Sequence, residues 1–413
     1  MSDDRALTTK RVAPIARHGR LRRSNPFGAI VKLLVSALTV MLISGAAVGA
    51  VAISQIEGSI DTVELVGQEE GAPPPQIGSF EGGFNVLLVG SDRCEDDSGC
   101  AGRGSANLND VTILVHVSQD QTNAVAVSFP RDLVVRIPSC PREDGKGNNG
   151  AMSAQPINVT LFYGGLPCTV LTVEALTGLD IPFAGLITFN GVVNMSTAIG
   201  GVTVCTTGPV VDRYSGINLP EAGNWSLEGD SALAFLRSRH GVGDGSDLGR
   251  ISSQQVFMSA MARQLTSDGV LKDPAKLFNL ATTATRSMQL STSMKNVTTL
   301  ASMARVFSNM DLKNVKFVQY PSTTGVGGIY EGKVAPIERK AEELFQLIRA
   351  DQQFDLKEGS TGRGSVLNPD APETPETPEV PPADGVAPPE DVTVISGLQG
   401  QSAADHTCSK ANN

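Results

Sequence analysis

The sequence predicts an α/β domain with helices on both faces of its sheet, preceded by one membrane-spanning helix. Three segments rich in Val, Ile and Leu, at 85–92, 110–118 and 123–137, are bounded by turn residues and are typical of buried strands. Segments with helical spacing alternate with strands along the chain, and this alternation is typical of α/β domains. A separate run of 21 uncharged residues, 33–53, indicates the membrane-spanning helix.

The N-terminal region is basic, whereas the rest of the chain is acidic. Residues 1–32 hold eight Lys or Arg against two Asp, although the whole chain has a net charge of −10. A helix of this length spans roughly 30 Å of hydrocarbon, and basic flanking residues stay in the cytoplasm. We therefore expect a single-pass plasma-membrane protein with a cytoplasmic tail at 1–28, a transmembrane helix at 29–53 and an extracellular stalk at 54–79. A cleaved signal peptide is the alternative, but the apolar run is long for one.

The six cysteines suit an external, oxidising compartment, and none forms a CxxC or other zinc pattern. Cys94 and Cys100 bracket a short acidic loop, and we expect them to pair. The other four allow three pairings, of which Cys140–Cys168 is favoured because each cysteine lies beside a proline. Whether Cys205 is paired or is a buried free thiol stays open.

The predicted domain covers residues 80–357. Its later elements are a helix that ends at Gly178, a strand–helix–strand unit within 186–204, and helices at 229–238, 250–265, 296–309 and 336–350. The composition changes after that, because Pro and Glu dominate "NPDAPETPETPEVPPADGVAPPEDV". Such a composition cannot bury enough apolar surface to fold, so we expect a disordered tail at 358–413, which ends in a short stretch carrying Cys408.

Arginines concentrate in "ALAFLRSRHGVGDGSDLGRISSQQ". Arg237 and Arg239 stand at a predicted helix end, where an extended R-x-R pair points to one side. Arg250 and Gln254 share one face of the next helix, in its first turn, where free N–H groups favour an anion. Arginine forks match phosphate oxygens, so the stretch predicts a phosphate site. The alternative is that these arginines pair with carboxylates such as Asp247.

Charged residues also follow the predicted strands. "SFPRD" places Arg131 and Asp132 at a strand end, and "VGSDR" places Asp92 at another. Asp110 begins the strand between them. Strand ends are where α/β sites gather, and two aspartates there suit Mg²⁺ with water and substrate phosphate as further ligands. An aspartate at a strand end is otherwise most often a turn residue.

These motifs resemble a known family. The stretches "NVLLVGSDR", "NDVTILVHVS", "VSFPRDLVVRIP", "INVTLFYGG", "AGLITFNGVVNMSTAIGGVTV" and the arginine stretch look like the successive motifs of the LytR-CpsA-Psr family, in the family's order over about residues 80–270. The resemblance implies a three-layer α/β/α domain with a mixed sheet and an apolar pocket for a polyprenyl chain. It also implies transfer of a glycopolymer phosphate from a polyprenyl-pyrophosphate carrier to peptidoglycan.

The resemblance assigns roles to residues by their motifs. It implies that Asp92 and Asp110 hold Mg²⁺. The pyrophosphate-binding and catalytic positions it implies are Arg131, Arg237, Arg239, Asp247 and Arg250, and the substrate-binding or orienting positions are Asp132, Gln254, Arg93 and Arg103.

The sequence departs from the family pattern near the phosphate site. Leu108 stands where an arginine is usual, Pro156 stands where a lysine is common, and Arg93 follows Asp92 without a spacer. Arg103 is the residue that could compensate. The alternative function is therefore a non-catalytic polyprenyl-phosphate or cell-wall binding protein on the same fold. Nucleic-acid binding is disfavoured, because the globular part is acidic and is placed outside the cell.

Overall fold

The structure is a computed structural model that describes residues 26–58, 60–67, 82–93, 107–267, 274–295, 297–357, 359–371 and 393–412. The chain divides into two compact units, Met1–Ser54 and Gln55–Asn413. The predicted pair of Cys94 and Cys100 lies outside the described residues.

Helix α1 (Pro26–Gly58) occupies most of the described part of the first unit. The segment Ile30–Gly45 of this helix is apolar. Large apolar side chains along the helix are exposed to solvent, with Phe27 73% and Met41 70% accessible. Among the described residues, the helix long and apolar enough to cross a membrane is Ile157–Thr177, of which 56% is buried in the second unit, whereas Ile30–Gly45 is a shorter apolar helix. The segment Ile157–Thr177 is therefore part of a protein core, whereas α1 presents its apolar side chains outward.

The second unit contains the remaining elements. Its helices are α2 (Thr160–Thr177), α3 (Phe189–Ala198), α4 (Asp230–Arg237), α5 (Asp247–Ser267), α6 (Pro274–Ser287), α7 (Val297–Asn309) and α8 (Glu338–Arg349). Its strands are β1 (Asp61–Val63), β2 (Phe84–Ser91), β3 (Asn109–Val117), β4 (Ala124–Phe129), β5 (Val134–Ile137), β6 (Cys140–Pro141), β7 (Asn148–Asn149), β8 (Met152–Pro156), β9 (Phe183–Ile187), β10 (Val202–Thr206), β11 (Val210–Asp212), β12 (Ile217–Leu219), β13 (Gly223–Leu227), β14 (Met288–Ser291), β15 (Val315–Gln319), β16 (Ser322–Thr324), β17 (Val334–Pro336), β18 (Phe354–Leu356), β19 (Ser365–Leu367), β20 (Thr393–Ile395), β21 (Gly400–Ser402) and β22 (Thr407–Ser409).

The main sheet has eight strands in the order β1-β14-β9-β2-β3-β4-β15-β21. It is mixed, because β2 runs parallel to β9 but antiparallel to β3, and β4 runs parallel to β15. Alternate side chains of β2 enter different cores. Leu87 and Val89 pack with α2 and α8, whereas Phe84 and Val86 pack with α5 and α7. A strand buried on both faces needs helices on both sides, so the predicted three-layer α/β/α fold with a mixed sheet is confirmed.

A second sheet, in the order β13-β10-β22-β19, lies beside α4 and α5. Its apolar core joins Val202 and Val204 of β10 to Phe235 of α4 and Phe257 of α5. This small core fixes the positions of α4 and α5, which the loop of the arginine stretch connects.

The predicted stalk is wrong for residues 60–67. Residues 61–63 form β1, which pairs in parallel with β14 at the edge of the main sheet. Ile60 and Leu65 on either side of β1 are buried. The prediction of a stalk rested on the Pro- and Gly-rich stretch that follows β1, and the few apolar residues around β1 are too short a pattern to indicate a strand.

The predicted disordered tail is wrong for residues 359–371, which contain β19, and for residues 393–412. Strand β21 extends the main sheet by pairing antiparallel with β15, and β22 enters the second sheet between β10 and β19. A disulfide joins Cys408 to Cys205, so Cys205 is not a free thiol. The Pro- and Glu-rich composition is confined to residues before β20. The prediction of disorder extended this composition to the residues after it, although they include apolar positions.

The predicted disulfide between Cys140 and Cys168 is confirmed. Cys168 lies within α2 rather than in a loop. The helix ends as expected, with Gly178 in the left-handed conformation (φ 68°) that glycine tolerates best.

Candidate active site

Two predicted site residues, Asp110 and Arg131, meet where three central strands of the main sheet begin or end. Strand β2 ends at Ser91 and β4 ends at Phe129, while β3 between them begins at Asn109. Because β3 is antiparallel to both neighbours, its first residues lie beside their last ones. Asp110 therefore faces Arg131, and Arg131 Nη1 donates to Asp110 Oδ1 at 2.5 Å.

Asp247 joins three segments of the site. Its Oδ1 lies 2.7 Å from Arg239 Nη2 and 2.7 Å from Arg250 Nη2, and its Oδ2 accepts the backbone N–H of Arg131 at 3.1 Å. The side chains of Asp247 and Arg250 are only 6% and 5% exposed. Asp247 is the first residue of α5, three residues earlier than the sequence predicted for this helix. One buried carboxylate thus sets the positions of three arginines.

Two guanidiniums make further contacts that hold the cluster together. Arg131 Nε lies 3.6 Å from Asp132 Oδ2, and Arg250 Nη2 donates to the carbonyl of Asp110 at 2.9 Å. Burial opposes the charge on Arg131, but its carboxylate neighbours, Asp110 foremost, outweigh burial and raise its pKa. Burial dominates at Arg250 and lowers its pKa, although Asp247 opposes the shift. Even a lowered arginine pKa leaves the group charged at neutral pH.

The R-x-R pair converges as the sequence predicts. Helix α4 ends at Arg237, and Ser238 is extended (ψ 131°), so the chain leaves the helix before Arg239. Arg237 stacks over the ring of Phe189, with Cζ 4.4 Å from the ring centroid. The buried face of α4 consists of Ala232, Ala234 and Phe235.

The arginines surround one open pocket of about 200 Å³. A cavity of this size accommodates a small charged group rather than a whole lipid chain. The pocket is lined by arginines, by carboxylates and by polar residues of the β11–β12 hairpin. The lining residues are Asp110, Arg131, Asp212, Tyr214, Ser215, Arg237, Arg239, His240 and Arg250.

Asp212 is a site residue that the sequence did not reveal. It ends β11, and its Oδ2 accepts the Ser238 hydroxyl at 3.1 Å and the backbone N–H groups of Arg239 and His240 at 3.0 Å each. Burial acts to raise the pKa of Asp212, but these hydrogen bonds and one from Tyr214 N outweigh it, so the pKa is lowered. An aspartate at a hairpin turn carries no sequence signal of such a role.

Comparison with known proteins identifies the family. The sequence profile of the LytR_cpsA_psr family matches residues 55–347. The chain belongs to this family. One LytR-CpsA-Psr relative, the cell wall biosynthesis protein LcpA of Corynebacterium glutamicum, is 28% identical over 394 residues, which are 87% of this chain and 73% of LcpA. Another is the polyisoprenyl-teichoic acid–peptidoglycan teichoic acid transferase TagT of Bacillus subtilis, 24% identical over 253 residues, or 59% of this chain and 73% of TagT.

Solved structures share the LytR-CpsA-Psr fold. The LytR-Csp2A-Psr enzyme from Actinomyces oris superposes with a TM-score of 0.51 at 22% identity, covering 70% of this chain and 95% of that one. TagV of B. subtilis superposes with a TM-score of 0.52 at 20% identity, covering 66% and 98%. These similarities establish the fold of the domain.

Asp92 and Asp110 form the acidic corner of this LytR-CpsA-Psr site. Burial raises the pKa of Asp92, the backbone N–H of Leu108 opposes this with a 2.8 Å hydrogen bond to Oδ1, and the charge of Asp110 raises the pKa further. A cation between the two carboxylates would relieve this repulsion. No group of three or more His, Cys, Asp or Glu side chains is clustered among the described residues. Two carboxylates nevertheless fit Mg²⁺, which keeps several waters and takes substrate phosphate as a ligand.

The other predicted residues lie at the edges of the site or beyond the described chain. Gln254 is buried, and its Nε2 donates to the carbonyl of Leu236 at 2.9 Å, so it supports the end of α4. Asp132 lies 3.8 Å from Arg239 Nη2. Arg93 is exposed, and its backbone N–H donates to Ser91 Oγ. Arg103 lies outside the described residues.

Proposed function

We propose that this protein is a membrane-anchored transferase that moves a glycopolymer phosphate from a polyprenyl-pyrophosphate carrier to peptidoglycan. The observation that carries the proposal is the convergence of four arginines from three separate segments on one pocket. Relatives named as teichoic acid–peptidoglycan transferases support the same reaction class.

The arginines keep the capacity to bind phosphate although they are paired. A guanidinium has five N–H donors, and the contacts to Asp110 and Asp247 use Nη1 of Arg131 and Nη2 of Arg239 and Arg250. Other donors of each fork can therefore meet the oxygens of a pyrophosphate. The carboxylates hold the forks in place before the ligand arrives, which lowers the entropy cost of binding.

The reaction breaks the bond between the two phosphates of the carrier. An acceptor hydroxyl attacks the phosphorus that bears the glycopolymer, the new P–O bond forms, and polyprenyl phosphate leaves with the bridging oxygen. Arg131, Arg237, Arg239 and Arg250 would stabilise the negative charge that develops on the leaving phosphate. A Mg²⁺ bound at Asp92 and Asp110 would supply additional neutralisation of the phosphoryl oxygens.

The acceptor hydroxyl must also lose its proton. Asp247 and Asp110 are the two carboxylates considered for this step. Asp247 is buried and accepts from three arginines, so its oxygens are already used. Of these two, Asp110 lines the pocket, so an acceptor hydroxyl can reach it when its carboxylate does not hold Mg²⁺; with Mg²⁺ bound there, the metal would supply the activation instead.

The proposed membrane anchor is α1, and the proposed compartment of the catalytic unit rests on the disulfides. The exposed apolar side chains of Ile30–Gly45 are suited to lipid contact. The disulfides Cys140–Cys168 and Cys205–Cys408 suit an oxidising compartment. We therefore place the catalytic unit outside the plasma membrane, close to the lipid-linked substrate.

A second candidate function is non-catalytic binding of the lipid carrier or the cell wall. The specific observation in its favour is Leu108, which contributes a backbone N–H to Asp92 at a position where the family pattern has an arginine. A site with fewer cations than the family pattern can still bind the carrier, but it stabilises the charge of the transition state less.

Purified full-length protein in detergent distinguishes the two functions. It is incubated with Mg²⁺, a short-chain polyprenyl-pyrophosphate-linked saccharide and peptidoglycan fragments, and both released polyprenyl phosphate and glycan-linked product are quantified. The transferase yields both products, and Arg239→Ala lowers the rate about 100-fold, in the range seen when one charge-stabilising donor is removed. The control Arg305→Ala, at an exposed position on α7, stays fully active. Tight binding of the saccharide without release of polyprenyl phosphate contradicts the transferase and supports the second candidate.

A further inference from the structure

The loop that carries Arg239 is held from outside by residues 410–412. Gly243 N donates to the carbonyl of Lys410 at 2.9 Å, and Asn412 N donates to the carbonyl of Gly241 at 3.1 Å. The side chain of Asn412 adds a third bond, because its Nδ2 donates to the carbonyl of His240 at 3.0 Å. Val242 and Ala411 form an antiparallel bridge at the centre of this contact. The segment therefore lies along the loop like an extra strand.

The supporting segment is itself firmly attached. Cys408 is bonded to Cys205 of β10, and β22 is hydrogen-bonded on both of its edges. Ser409 Oγ lies 2.7 Å from Ser253 Oγ of α5, and Lys410 N donates to the carbonyl of Gly364 at 2.9 Å. Residues 410–412 thus leave a rigid strand and can impose a position on the loop.

The loop between α4 and α5 has little stiffness of its own. Gly243 and Gly245 have positive φ (59° and 76°), and glycine is the residue with the most conformational freedom to lose. A Cβ on Gly243 would lie 2.9 Å from Gly364 Cα, so close packing requires glycine here. Asp212 holds the start of the loop at Arg239 and His240, whereas residues 410–412 hold its middle.

We infer that Asn412 is a positioning residue for Arg239, acting through the backbone of His240 and Gly241. This inference rests on the proposed transferase function. Arg239 must reach Asp247 and the pocket at once, and its direction depends on the peptide that follows it. Asp212 holds the peptide between Arg239 and His240 by accepting the His240 N–H, and Asn412 holds the next peptide by donating to the His240 carbonyl. Preorganised charge contributes to catalysis only if its supporting contacts keep it in place.

The test compares full-length variants with a matched control. Asn412→Ala removes the side-chain donor, and Asn412→Asp replaces it with an oxygen that repels the His240 carbonyl. The control is Asn314→Ala, which removes a bond of the same kind, from Asn314 Nδ2 to the carbonyl of Thr122 at 3.2 Å, elsewhere in the domain. One such bond corresponds to roughly a threefold to tenfold change. We expect Asn412→Ala to lower kcat by about that factor with KM changed less than twofold, Asn412→Asp to lose at least as much, and Asn314→Ala to keep the wild-type kcat.

Hydrogen exchange of the loop amides separates positioning from general destabilisation. In Asn412→Ala, the amides of residues 239–245 should exchange faster while those of β2 and β3 are unchanged. Unchanged kcat together with unchanged loop exchange overturns the inference. Equal losses in Asn412→Ala and Asn314→Ala also overturn it, because they show a merely structural effect. If the wild-type protein transfers nothing, the proposed function fails, and loop exchange still decides whether Asn412 holds the loop.

Discussion

At the scale of single residues, the site depends on a carboxylate rather than on its arginines. Asp247 is the acceptor shared by Arg239, Arg250 and the backbone of Arg131. The arginines can therefore pair with carboxylates and bind phosphate at the same time. The ion pairs supply the fixed geometry that phosphate binding needs.

Asp247→Asn should destabilise the protein by about 3 kcal/mol, because removing one partner of a buried ion pair leaves Arg250 uncompensated. Urea denaturation of wild type and variant measures the difference. Glu342→Gln is the control, since the Glu342 side chain is 56% exposed and its ion pair with Arg349 is expected to contribute little. Equal stability losses in the two variants would count against this role of Asp247.

Asp212 should make the stability of the protein fall in acid. Its pKa is lowered in the folded state, so its stabilising contribution is complete above the unfolded pKa of about 3.9 and is lost as pH falls through the lower folded pKa. The free-energy difference between wild type and Asp212→Asn should therefore be largest at pH 6 and shrink below pH 4. Urea unfolding at several pH values measures this, with exposed Asp230→Asn as the control. A difference that grows on acidification would be inconsistent with the lowered pKa.

At the scale of elements, the sequence predicted the interior better than the edges. Strands β2, β3 and β4 and helices α2, α4, α5, α7 and α8 are apolar at regular spacing, because their burial dictates that spacing. Strands β1, β21 and β22 are three residues each, too short to show any period. Helix α6 was also missed. Within the site, motif spacing predicted the convergence of Arg131, Arg239 and Arg250, but Asp212 and Asn412 act through backbone contacts that leave no pattern.

The two disulfides of the described residues should differ in their contributions to stability. They close loops with sequence separations of 28 and 203 residues. Chain entropy predicts a stabilisation of about 3.6 kcal/mol for Cys140–Cys168 and about 5.4 kcal/mol for Cys205–Cys408. Thermal or urea unfolding of Cys168→Ser and Cys408→Ser tests this order. A larger loss in Cys168→Ser would indicate that native contacts, and not the unfolded chain, decide the difference.

At the scale of the whole molecule, the disulfides of the second unit support its proposed place outside the cell. A domain with two disulfides suits the oxidising side of a membrane. The basic residues before α1 favour a cytoplasmic N-terminus. These two independent features support the proposed location of the active site on the same side as peptidoglycan.

A reporter fused after Asn413 should be located outside the membrane. Alkaline phosphatase, which needs disulfides, should be active in this fusion, whereas a reporter that functions only in the cytoplasm should be inactive. If α1 is the proposed membrane anchor, the full-length chain should also remain with membranes after extraction at alkaline pH. Release of a shorter chain into the soluble fraction would instead support a cleaved signal peptide.

The docking of residues 393–412 also has a consequence for the order of events during biosynthesis. His240 and Asn412 are 172 residues apart. At about 5–20 residues per second, the support of the arginine loop is synthesised roughly 10–30 s after the loop itself. An emerging chain therefore has the arginines of the pocket long before it has the strand and disulfide that hold their loop, and the loop gains its full support only when Cys408 has reached Cys205.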